Sequence, residues 1–105
     1  MSLERVINAL VSLGLTRIDA EVYVYIAKKG SQTVKKLVMA LNYSKNQIYS
    51  SIKELTIRGL VTKRGMLFSA LPFEETLELL IELNKEKAQC LQDSIKELIA
   101  SWEIK

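Results

Sequence analysis

Residues 31–65 carry start and stop signals in an order that few folds accept. Thr33 opens a short amphipathic segment with Val34, Leu37, Val38 and Leu41 inward, and Asn42 suits a left-handed exit. Ser44 and Gln47 then stand three apart as a capping-box pair. Ile48, Ile52 and Leu55 follow at helical spacing, Ile57 falls on the outward side and is expected to meet the long helix or the wing, and Gly59 ends that segment. The period next falls from 3.6 to 2. Residues 60–63 and 66–70 read as strands joined by Arg64-Gly65. Helix, tight turn, helix and hairpin make a helix-turn-helix with a wing, a scaffold that offers its second helix to the DNA major groove.

The flanks extend this reading. Leu3, Val6, Ile7, Leu10 and Val11 mark an amphipathic helix over about 3–13, which Gly14 ends. Thr16 caps a further helix with Asp19 in the capping-box position. Ile18, Val22, Ile26 and Ala27 form its buried stripe, and Gly30 stops it. After Leu71-Pro72 one long helix is predicted from about Phe73 to the C-terminus. Its apolar seam steps by four and three, with Leu77, Asn84, Leu91 and Leu98 at d and Ile81, Ala88, Ile95 and Trp102 at a. Ile at a with Leu at d favours two strands when helices run parallel, and Asn84 would set the register. These eight residues are therefore the expected homodimer interface; the rival is packing on the chain's own N-terminal helix. The fold class is mostly α (α+β): a winged helix-turn-helix with a two-strand wing over residues 1–71, then a C-terminal coiled-coil dimerisation helix over 72–105.

Charge divides at the same joint. Residues 1–70 hold eleven Lys/Arg against four Asp/Glu, and residues 71–105 hold four against eight. A basic head beside an acidic helical tail points to nucleic acid at one end and a protein partner at the other. The chain has no histidine and one cysteine, so the usual zinc spacings cannot be written, nor can any Ser-His or Cys-His nucleophile pair. No phosphate-cradling glycine loop occurs. Neither an enzyme nor a catalytic residue, metal or cofactor is expected. Cys90 reads as an ordinary free thiol on a solvent-facing helix position. The apolar runs are too short for a membrane span, and the N-terminus lacks a signal-peptide layout, which makes cytoplasmic location the expectation.

A helix that reads bases needs short polar side chains near its N-terminus and cations along its flanks. Ser44, Lys45, Asn46, Gln47, Tyr49, Ser50 and Lys53 supply that surface. Thr33, Lys35 and Lys36 start the preceding helix, which crosses the DNA backbone in this geometry, and Lys63 and Arg64 stand at the wing tip. Each group alone is also an ordinary cap, solvated face or polar turn; their placement on one side carries the inference.

Leu13-Gly14-Leu15-Thr16, followed by Ala20-Glu21-Val22-Tyr23, resembles the opening of the TrmB-like winged-helix regulators, chiefly archaeal transcription factors. Ser44-Lys45-Asn46-Gln47-Ile48-Tyr49, with Leu55 and Arg58-Gly59-Leu60-Val61, is similar to that family's recognition helix and its exit. Ala70-Leu71-Pro72 with Glu74-Glu75 and Leu77 looks like its joint into a linker helix, so the resemblance covers about residues 10–82. It implies DNA binding and transcription regulation. Family members often carry Arg-Ser-Lys where Lys45-Asn46-Gln47 stands here, so no operator preference transfers. Many continue into a sugar-sensing domain that these 105 residues do not include, so the resemblance implies no sugar effector and leaves any small-molecule effector unknown. The expected function is sequence-selective binding of double-stranded DNA by a homodimeric transcriptional regulator. The alternative is a winged-helix adaptor that binds protein without reading DNA.

Overall fold

The Leu-Gly-Leu sequence at 13–15 and the Gly-Leu pair at 59–60 end two helices by the same hydrogen-bond pattern. In the computed structural model, which describes residues 2–83 and 95–103, helix α1 spans Ser2–Ser12. Gly14 N–H donates to the Val11 carbonyl at 3.0 Å and Leu15 N–H to the Leu10 carbonyl at 3.2 Å. At the other site Gly59 N–H donates to the Thr56 carbonyl at 3.1 Å and Leu60 N–H to the Leu55 carbonyl at 2.9 Å. These are Schellman ends, and Gly59 sits at φ +80°, where a Cβ would strain the backbone. Leu10, Leu15, Leu55 and Leu60 are all buried, supplying the apolar pairing that accompanies the motif.

The described residues form two compact units, one of residues 18–71 and one of residues 2–17 with 72–83 and 95–103. In the first unit α2 (Arg17–Lys29, entered at Ile18), α3 (Val34–Ala40) and α4 (Lys45–Ile57) precede strands β1 (Val61–Arg64) and β2 (Leu67–Ala70). The strands pair antiparallel with Val61 opposite Ala70 and Arg64 opposite Leu67. The two turn residues are therefore Gly65-Met66, one later than the sequence spacing suggests. Gly65 takes φ +62° at the first central position, as type II′ hairpin turns require. Gln32 adds a third, single-residue rung: it exchanges backbone bonds with Phe68 at 3.1 and 2.8 Å, tying the hairpin to the α2–α3 connection. Val22, Tyr23, Ile26, Leu37, Ile48, Ile52, Leu55 and Val61 form the core, and the Tyr23 hydroxyl donates to the Leu71 carbonyl.

Two local expectations change. Asn42 does not take a left-handed exit: no described non-glycine residue has positive φ, and α3 leaves through extended Leu41 (φ −110°, ψ 145°). A tight turn follows, in which Tyr43 N–H donates to the Leu41 carbonyl at 2.9 Å, and brings the chain to the Ser44 cap. Ile57, expected to pack against other elements, is 70% exposed.

The second unit holds α1, α5 (Phe73–Leu83) and α6 (Ile95–Glu103). α1 thus groups with the C-terminal helices rather than with the head. The single long coiled-coil helix is corrected here. The Phe73 and Trp102 rings stack at 4.4 Å, whereas an unbroken helix would hold residues 73 and 102 about 44 Å apart at 1.5 Å per residue. α6 packs against α1 and meets α5; Leu98 is buried and Arg5 pairs with Glu97. Leu77 is buried and Ile81 half-buried. The physical reason is that a heptad stripe specifies an apolar surface but not whose, and the apolar stripe of α1 is available in the same chain. Asn84, Ala88, Cys90 and Leu91 lie outside the described residues.

Arg17 donates to both carboxylate oxygens of Glu4, at 2.8 and 3.0 Å, and holds that carboxyl below its ordinary range. A depressed carboxyl stabilises the fold above its unfolded pKa and loses that contribution as pH falls through its folded value, so this pair weakens only in acid. Leu98→Ala should destabilise the second unit by about 2–5 kcal/mol, read by urea unfolding with Trp102, the chain's single tryptophan, as the fluorophore. A seam residue left exposed on one chain would change far less.

Candidate nucleic-acid interface

The start of α4 is built by reciprocal bonds. Ser44 Oγ accepts the Gln47 N–H at 3.2 Å, and Gln47 Oε1 accepts the Ser44 N–H at 2.9 Å, closing the capping box. α4 is then set on the core by Ile48, Ile52 and Leu55, all buried. Two acids of α2 complete its seating. The Ser51 hydroxyl donates to Asp19 Oδ1 at 2.6 Å with both residues buried, and the Tyr43 hydroxyl donates to Glu21 Oε2 at 2.9 Å just before the helix. Once Ser51 and the apolar stripe face inward, helical geometry turns Asn46, Ser50 and Lys53 to the solvent, with Lys45, Gln47 and Tyr49 alongside.

The cations around this face differ from the arginines elsewhere. Arg5, Arg17 and Arg58 pair with Glu97, Glu4 and Glu54. Lys35, Lys36, Lys45, Lys53, Lys63 and Arg64 are exposed and form no ion pair among the described residues. Glu54 is engaged by Arg58, and the six cations outnumber the acids around this face, which gives it the net positive charge that attracts a polyanion.

A groove of about 540 Å³ lies between α3, the start of α4 and the hairpin. It brings together Thr33, Lys35, Lys45, Tyr49 and Lys63 of the residues proposed from sequence; Lys36, Ser44, Asn46, Gln47, Ser50, Lys53 and Arg64 do not line it. Lys45 Nζ stands 5.8 Å from the centre of the Tyr49 ring, within cation–π range. Sequence reasoning missed the apolar wall: Val34, Val38, Met39, Met66 and Phe68 line the same space, and Met39 and Met66 are 78% and 80% exposed. The available signal was Met66 beside the turn glycine and Met39 off the inward stripe of α3.

Some polar residues already have structural work. Thr33 Oγ1 accepts the Lys36 N–H at 3.3 Å as the cap of α3, and Ser44 caps α4. Gln47 spends its carbonyl oxygen on that cap, so its side chain presents only amide donors. Bidentate pairing with adenine needs both, which leaves Asn46 as the amide on this face able to make it. Among the described residues, no helix is long and apolar enough to cross a membrane.

Residues 10–74 match the family model described as "Sugar-specific transcriptional regulator TrmB". No curated protein and no solved structure matches the chain.

Gln47→Ala should cost about 1 kcal/mol, the ordinary worth of a helix cap. Asp19→Ala should cost about 1–3 kcal/mol by leaving the buried Ser51 hydroxyl unsatisfied. Chemical denaturation checks both, and equal stability of Asp19→Ala and the parent would remove Asp19 as the anchor of α4.

Proposed function

The chain belongs to the TrmB family of transcriptional regulators, and on that footing we propose that it binds duplex DNA sequence-selectively as a homodimer, with α4 in the major groove. The observation that carries this reading is the outward face of α4, with Asn46, Ser50 and Lys53 exposed and flanked by cations that no described acid neutralises. In that pose Asn46 and Lys53 meet base edges, Ser50 meets either base or phosphate, and Lys35 and Lys36 meet the backbone beside α3. Lys63 and Arg64 reach a neighbouring phosphate from the wing. The first turn of α4 aims its free N–H groups outward, which suits a phosphate. The family's members are regulators and not enzymes.

Pairing of two chains would present two such helices to a two-fold operator. Support comes from apolar side chains that the second unit leaves exposed, Leu3 and Val11 on α1 and Leu83 at 64% exposure on α5. Leu77 and Leu98 are buried within the chain, so the pairing surface is assigned to those exposed residues instead. Leu83→Asp should convert a dimer to a monomer in sedimentation equilibrium; an unchanged mass would remove Leu83 from the interface.

Salt dependence tests the DNA reading directly. If the six unpaired cations each displace a counterion, log K should fall with log salt by a slope of roughly −5 per bound head and about −11 for two. Fluorescence anisotropy across a salt series measures it, and a slope near zero would favour the adaptor reading. On a selected operator, Asn46→Ala should lose about 1–3 kcal/mol and relax preference at one base, whereas Lys53→Ala should flatten the salt slope by about 1 if it also contacts phosphate.

A further inference from the structure

The groove beside α4 is larger and more apolar than phosphate contact requires. Its volume of about 540 Å³ falls within the range of small-molecule pockets. Val34, Val38, Met39, Met66 and Phe68 form the wall, and the flexible thioethers of Met39 and Met66 are free to close over a guest. Three ammonium groups, Lys35, Lys45 and Lys63, line the same space, and no acidic residue does. None of the three has an ion pair among the described residues, and Lys45 is held near the Tyr49 ring.

We propose that this groove binds an amphipathic organic anion, a carboxylate carried on an apolar body, and that its occupancy excludes DNA. The wall takes the body out of water and the lysines take the carboxylate, so each half of the ligand meets its chemical complement. A neutral polyol fits poorly: apart from the lysines, its hydroxyls would find Tyr49 and a Thr33 oxygen already engaged by the Lys36 N–H, and then hydrocarbon. A phosphodiester satisfies the lysines but leaves the wall behind them wet. Exclusion of DNA rests on the reading above, because Lys35, Lys45 and Lys63 are three of the six cations proposed to displace counterions from DNA. A ligand that binds the free protein better than the complex must weaken DNA binding by the same factor.

The site is tested without DNA. The purified chain, labelled with ¹⁵N, is titrated with 2-naphthoate and separately with 2-naphthol, which has the same ring body but no charge at neutral pH. Naphthoate should give saturable amide shifts centred on α3, the start of α4 and the hairpin turn, and naphthol should bind at least tenfold more weakly. Met39→Glu and Met66→Glu each place a carboxylate in the groove from an exposed position and should weaken naphthoate at least tenfold, with the remaining spectrum unchanged. No saturable shift at those residues, or equal binding of the two probes, overturns the site. Groove resonances that move on dilution of the ligand-free protein show a second copy seated there, and also overturn it. A second arm adds naphthoate to the protein on labelled duplex. A rise in apparent Kd matching naphthoate saturation supports exclusion, and unchanged DNA affinity overturns exclusion while leaving the site. If the protein binds no DNA at any salt, exclusion falls with that reading, and the titration alone decides the site.

Discussion

The bond from Ser51 to Asp19 decides which face of α4 reaches solvent. A carboxylate buried to this degree is costly unless a donor meets it, and the Ser51 hydroxyl does so at 2.6 Å. Asp19 stands in the first turn of α2, where the helix dipole also favours negative charge. A rotation of α4 by one residue, about 100°, would break this bond and drive Ile48, Ile52 and Leu55 out of the core together. The polar anchor and the apolar stripe thus select the same rotation, and the exposed row of Asn46, Ser50 and Lys53 follows from it.

Around that helix the chain separates its charges by use. Three of the four arginines are paired with acids: Arg58 with Glu54 at the end of α4, and Arg5 and Arg17 with acids in the other unit. The cations of α3, α4 and the hairpin form no ion pair among the described residues, and Lys35, Lys45 and Lys63 stand beside an apolar wall. Exposed surface pairs contribute little to stability, so leaving these lysines unpaired costs the fold little while preserving their charge for an anion. The hairpin takes part because Gln32 fixes Phe68, and with it the strand that carries Met66 toward α3.

Caps and periods were legible because their causes are local. Ser44 with Gln47, Thr33, and the glycines at 14 and 59 act within five residues, and the structure realises each one. The Asp19–Ser51 bond was not legible, since it spans 32 positions and the sequence offered Asp19 only as a local capping-box acid. Gln32 carried no strand signal, because a one-residue rung has no period to detect. The apolar groove was hidden for a related reason: Met39 and Met66 come from elements that meet only after the hairpin is docked.

The stripe through Leu77, Leu98 and Trp102 marks the division most clearly. Sequence alone determined that Leu77 in one helix, and Leu98 and Trp102 in another, lie in apolar stripes, because 3.6 residues per turn groups residues three and four apart on one face. It also determined the order of helices and strands, the caps that bound them and the excess of positive charge in the head. Tertiary structure decided what covers each apolar face: α6 lies on α1 and Trp102 stacks on Phe73 in place of a single extended seam. Hydrophobic burial is non-directional and rewards any apolar surface within reach. Which surface is within reach is a property of the folded chain.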